Sequence, residues 1–246
     1  MKKYFQAPWT YKDLLISFLL AAILIPVTLI ILDLTGISDI IEKSEQKGVY
    51  LVLIFILQWI IILVPMLVLT HKKYKIKAKY FGIKKIGILK TIGLIFTAYI
   101  LYLSISLLIT TFILYTGLKI PGYQIQEEIV PMFGTDTFSL VVAGILIVGL
   151  APIIEEIFFR GFLLRTLANK SGVFLGSIVS AAIFAVFHMQ WQSIIPIFIL
   201  GLIINSIVIK SRSIIPAIGF HIFNNALAFT FEILLIKEVI SLENVI

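Results

Sequence analysis

The sequence contains no cysteine and little charge: Asp, Glu, Lys and Arg make up 13% of its 246 residues. The first absence excludes a disulfide-stapled secreted domain, any thiol nucleophile and any Cys-ligated metal site. The second excludes an ordinary soluble enzyme, whose charged share is roughly 25%, because too few polar residues remain to cover a water-facing surface. Histidine is scarce too, with three residues. There is no HExxH for a zincin-type metal site and no GxSxG nucleophile turn. There is also no Walker A loop and no GxGxxG, so ATP and dinucleotide chemistry are not indicated. What fills the chain instead is apolar: 60% of the residues, with a mean hydropathy of +1.11.

That material falls in runs of the right length. A bilayer crossing takes about 20 mostly apolar residues at 1.5 Å rise. Seven stretches are read as spans: Leu14–Leu32, Val49–Leu69, Thr91–Tyr115, Phe138–Ile154, Ser171–Gln190, Ser193–Ile209 and Ser213–Ile236. No sizeable polar domain, internal repeat or low-complexity tract separates them. The expectation is an all-α, polytopic transmembrane helix bundle of seven to eight membrane helices, with residues 1–246 forming a single integral membrane domain. The first run is too long for a signal-peptide core and no A-x-A-like site follows it, so it reads as a retained helix.

Lysine sets the orientation. Lys2, Lys3 and Lys12 lie before the first span, and Lys72, Lys73, Lys75, Lys77, Lys79, Lys84, Lys85 and Lys90 follow the second. The alternate loops lean acidic: Asp33, Asp39, Glu42 and Glu45, then Glu127, Glu128 and Asp136. The N-terminus is expected in the cytoplasm of a cell-membrane protein. Seven spans would put the C-terminus outside. Topology and contact with anionic headgroups account for the net charge of +7. Nucleic acid is not expected as a partner, because the lysine-rich segment carries no recognised fold.

A few charges break the pattern. Glu155, Glu156 and Arg160 directly follow the fourth apolar run. Intramembrane ionisable residues are costly, at about 2.5–3.5 kcal/mol each on insertion scales, so these imply mutual pairing or a polar cavity. Glu156 and Arg160 are i, i+4 and can pair on one helix face, while Glu155 points about 100° away. The same charges would also suit a span that ends at Ile154 and faces water. Two of the three histidines lie in or near apolar spans: His188 ends Phe184-Ala-Val-Phe-His188, and His221 begins His221-Ile-Phe-Asn-Asn225. Either alone could simply bond a neighbouring helix. His71 heads the lysine loop and reads as solvated.

Depth favours convergence. If the fourth span is one long helix over 138–168, bent near Pro152, Glu155 lies about 20 Å above its inner end. His188 then lies about 25 Å, His221 about 12 Å and Asn225 about 18 Å along their own helices. A carboxylate, two imidazoles and an amide at such depths fit water-mediated amide hydrolysis: Glu155 with His188 as general base, His221 and Asn225 as oxyanion donors, Glu156 and Arg160 in support.

Glu155-Glu156-x-x-x-Arg160, Phe184-x-x-x-His188 and His221-x-x-x-Asn225, in order on successive helices, resemble the three motifs of the CPBP family. That family comprises the type II CAAX prenyl proteases and the bacterial Abi, bacteriocin-processing and immunity proteins. The segment Pro152-x-x-Glu155-Glu156-x-x-Phe159-Arg160-Gly161 is similar to its pattern as well. The resemblance covers residues 138–230, read as the catalytic core. It implies an intramembrane endopeptidase in which Glu155 and His188 activate water while His221 and Asn225 stabilise the oxyanion. It leaves open Zn2+ held by Glu155, His188 and His221, or a metal-free glutamate mechanism.

The implied partners are the lipid bilayer and a peptide or protein substrate at the membrane. Isoleucine supplies 49 of 246 residues and Lys outnumbers Arg 17 to 3, a bias expected of AT-rich coding in a low-GC bacterium. On that ground a pheromone or bacteriocin precursor is favoured over a prenylated protein. The competing readings are a non-catalytic bacteriocin immunity or regulatory scaffold, and a proton-coupled carrier. Intact Glu155, His188 and His221 argue against the first, and the absence of internal repeats against the second.

Overall fold

A computed structural model describes residues 2–44, 47–124, 126 and 129–237. Glu45, Glu127 and Glu128, used in the charge pattern of the loops, lie outside the described residues. Among the described residues there is no strand. The long helices are α1 (Tyr11–Leu34), α2 (Lys47–Tyr74), α3 (Ile88–Thr116), α4 (Thr137–Ser171), α5 (Val173–Phe187), α6 (Ile194–Ser211) and α7 (Ile215–Ile236). All of these except α5 are long and apolar enough to cross a membrane. Their sides are open rather than packed: Leu15, Ile23, Leu107, Leu108 and Leu114 are 58%, 56%, 67%, 70% and 71% exposed. So much exposed apolar surface marks contact with lipid. The chain is an all-α, multi-pass membrane protein.

The expected fourth span is one uninterrupted helical run that passes Pro152 and ends at Ser171. It does not stop at Ile154. Two π-helical stretches, Ile145–Leu150 and Glu156–Leu164, flank Pro152. Such wide turns absorb the bond and the space that a proline takes from a helix. Asp136 caps its start, accepting the Ser139 N–H at 3.1 Å. Bonds from the Ser139 hydroxyl and backbone hold the Asp136 carboxyl below its ordinary pKa.

The expected fifth span shortens. Ser171 belongs to α4, Gly172 turns the chain at φ +87°, a conformation that favours glycine, and α5 has 15 residues. That is about 22 Å of helix, less than the ~30 Å hydrocarbon layer.

The described chain forms two compact units. One comprises Met1–Thr10, Ile76–Glu127 and Glu155–His221. Its core joins Phe5, Leu164, Ala168, Ile203, Ile204, Ile207, Ala217 and Phe220. Small residues bring its helices close. A Cβ on Gly176 would lie 2.6 Å from the Ala168 nitrogen of α4, and one on Gly201 would lie 3.2 Å from Ala181 of α5. Trp9 fastens the N-terminal segment, donating to Thr166 Oγ1 at 2.7 Å and stacking on Phe81.

The other unit comprises Tyr11–Lys75, Glu128–Ile154 and Ile222–Ile246. Trp59, Phe133, Ala143 and Leu146 form its core. The buried Asp13 of α1 accepts bonds from Lys73 and Tyr74 of α2 at 2.7 and 2.6 Å. Glu232 of α7 accepts the N–H groups of Ile129 and Val130 at 3.0 and 2.8 Å, supplying the acceptor that the short Val130–Phe133 helix lacks.

Candidate active site

The second π-helical stretch of α4 carries Glu156 and Arg160, with Glu155 on the residue before it. Glu156 Oε1 lies 2.8 Å from Arg160 Nη1, and both side chains are fully buried. A buried pair survives only if its remaining donors and acceptors are met. Arg160 has further partners: Nε donates to Asn205 Oδ1 at 3.1 Å, Nη2 donates to the Gly201 carbonyl at 3.4 Å, and the Phe184 ring lies 4.2 Å from Cζ. Asn205 Nδ2 in turn donates to the Ser177 carbonyl at 2.9 Å.

The two histidines arrive from different helices. His188 caps the C-terminus of α5, with Nδ1 2.8 Å from the Phe184 carbonyl oxygen. A carbonyl can only accept, so Nδ1 carries the hydrogen and neutral His188 has its lone pair on Nε2. His221 of α7 has Nδ1 2.9 Å from Glu156 Oε1. That oxygen, which already accepts from Arg160 Nη1, accepts here too, so His221 takes the same tautomer.

Both Nε2 atoms face Glu155. Each lies 3.9 Å from Glu155 Oε2. This oxygen is buried and, among the described residues, has no hydrogen-bond partner. The Glu155 and His188 side chains are 26% and 23% exposed, so the cluster is reachable, while His221 is 3% exposed and held from behind.

Glu155, Glu156, Arg160, His188 and His221 are thus brought together within one unit. Asn225 lies one turn beyond His221 on α7 and donates from Nδ2 to the Ile147 carbonyl at 3.0 Å. His71 is exposed in the last turn of α2. Asn205 escaped the sequence reading. Its one signal is a lone amide inside the apolar run Leu202-Ile203-Ile204-Asn205-Ser206-Ile207.

The donor set resembles that of a zinc site in chemistry, two imidazole nitrogens and a carboxylate with second nitrogens held by acceptors. Its spacing does not fit as it stands. Bonds of 2.0–2.1 Å place neighbouring donors about 3.3 Å apart, less than the 3.9 Å found. Among the described residues no three His, Asp or Glu side chains form a group able to hold a metal ion.

Residues 137–227 match the family model for Type II CAAX prenyl endopeptidase Rce1-like proteins. The matched segment contains all three motifs and runs from α4 to the middle of α7. No curated protein and no solved structure matches the chain. The matched segment begins at the first residue of α4 and leaves α1, α2 and α3 outside it.

Proposed function

We propose that the chain is an intramembrane endopeptidase that hydrolyses a peptide bond of a membrane-associated peptide or protein with water activated at Glu155. The observation that carries this reading is the buried Glu155 Oε2, without a hydrogen-bond partner among the described residues and equidistant from two imidazole nitrogens. A water about 2.8 Å from Glu155 Oε2 and from His188 Nε2 would satisfy that oxygen. It would donate one hydrogen to Glu155 and the other to His188 Nε2.

As this water attacks the substrate carbonyl carbon, Glu155 takes its proton and the C=O pair moves to oxygen. Collapse restores the C=O, breaks the C–N bond and sends the Glu155 proton to the leaving nitrogen. Water is consumed, and a carboxyl and an amine result. Glu156 and Arg160 support the site by fixing the ring of His221. His221 donates to the oxyanion only when both ring nitrogens carry hydrogen, so its resting tautomer acts as an acceptor. For Asn225, the motif resemblance supports an oxyanion role. No step is routed through a metal.

The catalytic core is taken as 138–230 within a single membrane domain, the N-terminus as cytoplasmic and the membrane as the cell membrane. Compositional bias supports a bacterial peptide precursor as the natural substrate. The test uses purified protein in detergent with two probes, a quenched-fluorescent farnesylated CAAX peptide and an unlipidated hydrophobic peptide. Cleavage of either probe should fall at least ~100-fold in Glu155→Ala and in His188→Ala. Cleavage that survives Glu155→Ala sinks the assignment, and biological activity undiminished in both variants favours a non-catalytic immunity or regulatory scaffold.

A further inference from the structure

We infer that Asn205 is a positioning residue of this site, acting through Arg160 and Glu156 to hold the His221 ring in the orientation that presents Nε2 to Glu155. The inference rests on the endopeptidase reading above for its functional meaning, although its geometry stands apart from it.

The buried ion pair has an unusual geometry. A guanidinium and a carboxylate favour a two-pronged contact, with two parallel N–H···O bonds. Arg160 and Glu156 form a one-pronged contact instead. Nη1 meets Oε1 at 2.8 Å, while Glu156 Oε2 is buried without a partner among the described residues. One oxygen therefore serves two donors, Arg160 Nη1 and His221 Nδ1, at 2.8 and 2.9 Å. Left to itself, the guanidinium would rotate to take both oxygens, and the carboxylate would turn away from His221.

Asn205 opposes that rotation. Its Oδ1 holds the Nε edge of Arg160 at 3.1 Å, and the Gly201 carbonyl lies 3.4 Å from Nη2. The Phe184 ring, 4.2 Å from Cζ, covers one face of the fork. The amide itself cannot reverse, because its Nδ2 end is committed to the Ser177 carbonyl at 2.9 Å. Asn205 is wholly buried, so its exchange for an apolar residue leaves the Nε–H with no water to turn to. The chain of contacts runs from α6 and α5 through α4 to α7, ending on the ring whose Nε2 lies 3.9 Å from Glu155. Outer partners of this kind commonly change activity by about 10–100-fold when removed.

The test reads the ring directly. Histidine labelled with 15N is placed in the full-length protein in detergent micelles. Two-bond 1H–15N spectra then report which ring nitrogen carries hydrogen, with His71→Gln and His188→Gln assigning the His221 signals. Wild type should show His221 with hydrogen on Nδ1. Asn205→Leu, close in shape but without polar atoms, should show averaged tautomers. It should also cleave the probe peptide with kcat lowered about 10–100-fold and KM within about threefold. Asn205→Asp keeps the oxygen facing Arg160, should recover most of the Nδ1–H signal, and serves if the leucine variant does not fold.

A His221 spectrum unchanged in a folded Asn205→Leu protein overturns the inference. So does a fall in melting temperature with kcat per folded molecule intact, which identifies a purely structural residue. Cleavage that persists in Glu155→Ala is a separate result: it removes the endopeptidase reading and leaves the tautomer result to stand or fall by itself.

Discussion

Among single residues, Glu156 and Arg160 have the most to lose from separation. Each is wholly buried and each neutralises the other at 2.8 Å. Changing one leaves an uncompensated buried charge, a loss of about 3–5 kcal/mol. Glu156→Gln and Arg160→Met should therefore each lower the unfolding midpoint in detergent sharply, while the double variant, with neither charge, should unfold above at least one of them. Additive losses in that cycle would show that the pair is not coupled. This pairing was legible in the sequence, because i, i+4 spacing puts both groups on one helix face. Asn205 was not, since its partners lie 45 and 28 positions away and only packing brings them together. The tautomers of His188 and His221 were hidden for a similar reason: they follow from acceptors on a neighbouring turn and on another helix.

For whole elements, the close approach of α5 to α4 and α6 depends on small side chains. A Cβ on Gly176 would lie 2.6 Å from the backbone nitrogen of Ala168, an atom that cannot swing aside. A Cβ on Gly93 of α3 meets nothing within 4 Å. Gly176→Ala should thus be destabilising, and Gly93→Ala stabilising by about 0.5–1 kcal/mol through helix propensity. Thermal unfolding of the two variants side by side checks this, and equal shifts would count against the packing. Helix positions were readable because uncharged apolar runs leave few alternatives. The lengths were less so. Nothing in residue type announces a π-helical turn, and the break at Gly172 is hidden in a run that remains apolar on its far side.

At the scale of the molecule, the lysine pattern makes a claim that a reporter can check. With the N-terminus in the cytoplasm, a cytoplasm-dependent fluorescent reporter fused ahead of residue 1, or inserted within 83–87, should be active, and an export-dependent phosphatase at the same places should be silent. The reverse pattern at both sites would invert the orientation. The two units interleave along the sequence, and the clustered residues Glu155, Glu156, Arg160, His188 and His221 all fall in one of them. Composition alone anticipated a membrane protein; it carried no sign of this partition, which arises because α4 and α7 each contribute their two halves to different cores.

The brevity of α5 has a consequence for the chain beside it. A helix of about 22 Å that starts at one face of the hydrocarbon layer ends roughly 8 Å short of the other. The backbone from Met189 through the 3-10 turn Trp191–Ser193 then lies within the depth of the membrane, where peptide groups need partners in the protein or in a water-filled cavity. Gln192 offers its carbonyl to the Gln124 N–H at 2.8 Å, and Gly122 offers its own to the Ile195 N–H at 2.9 Å. The connection between α3 and α4 is thereby no external tether: it lends its peptide groups as partners to the chain that follows the turn carrying His188.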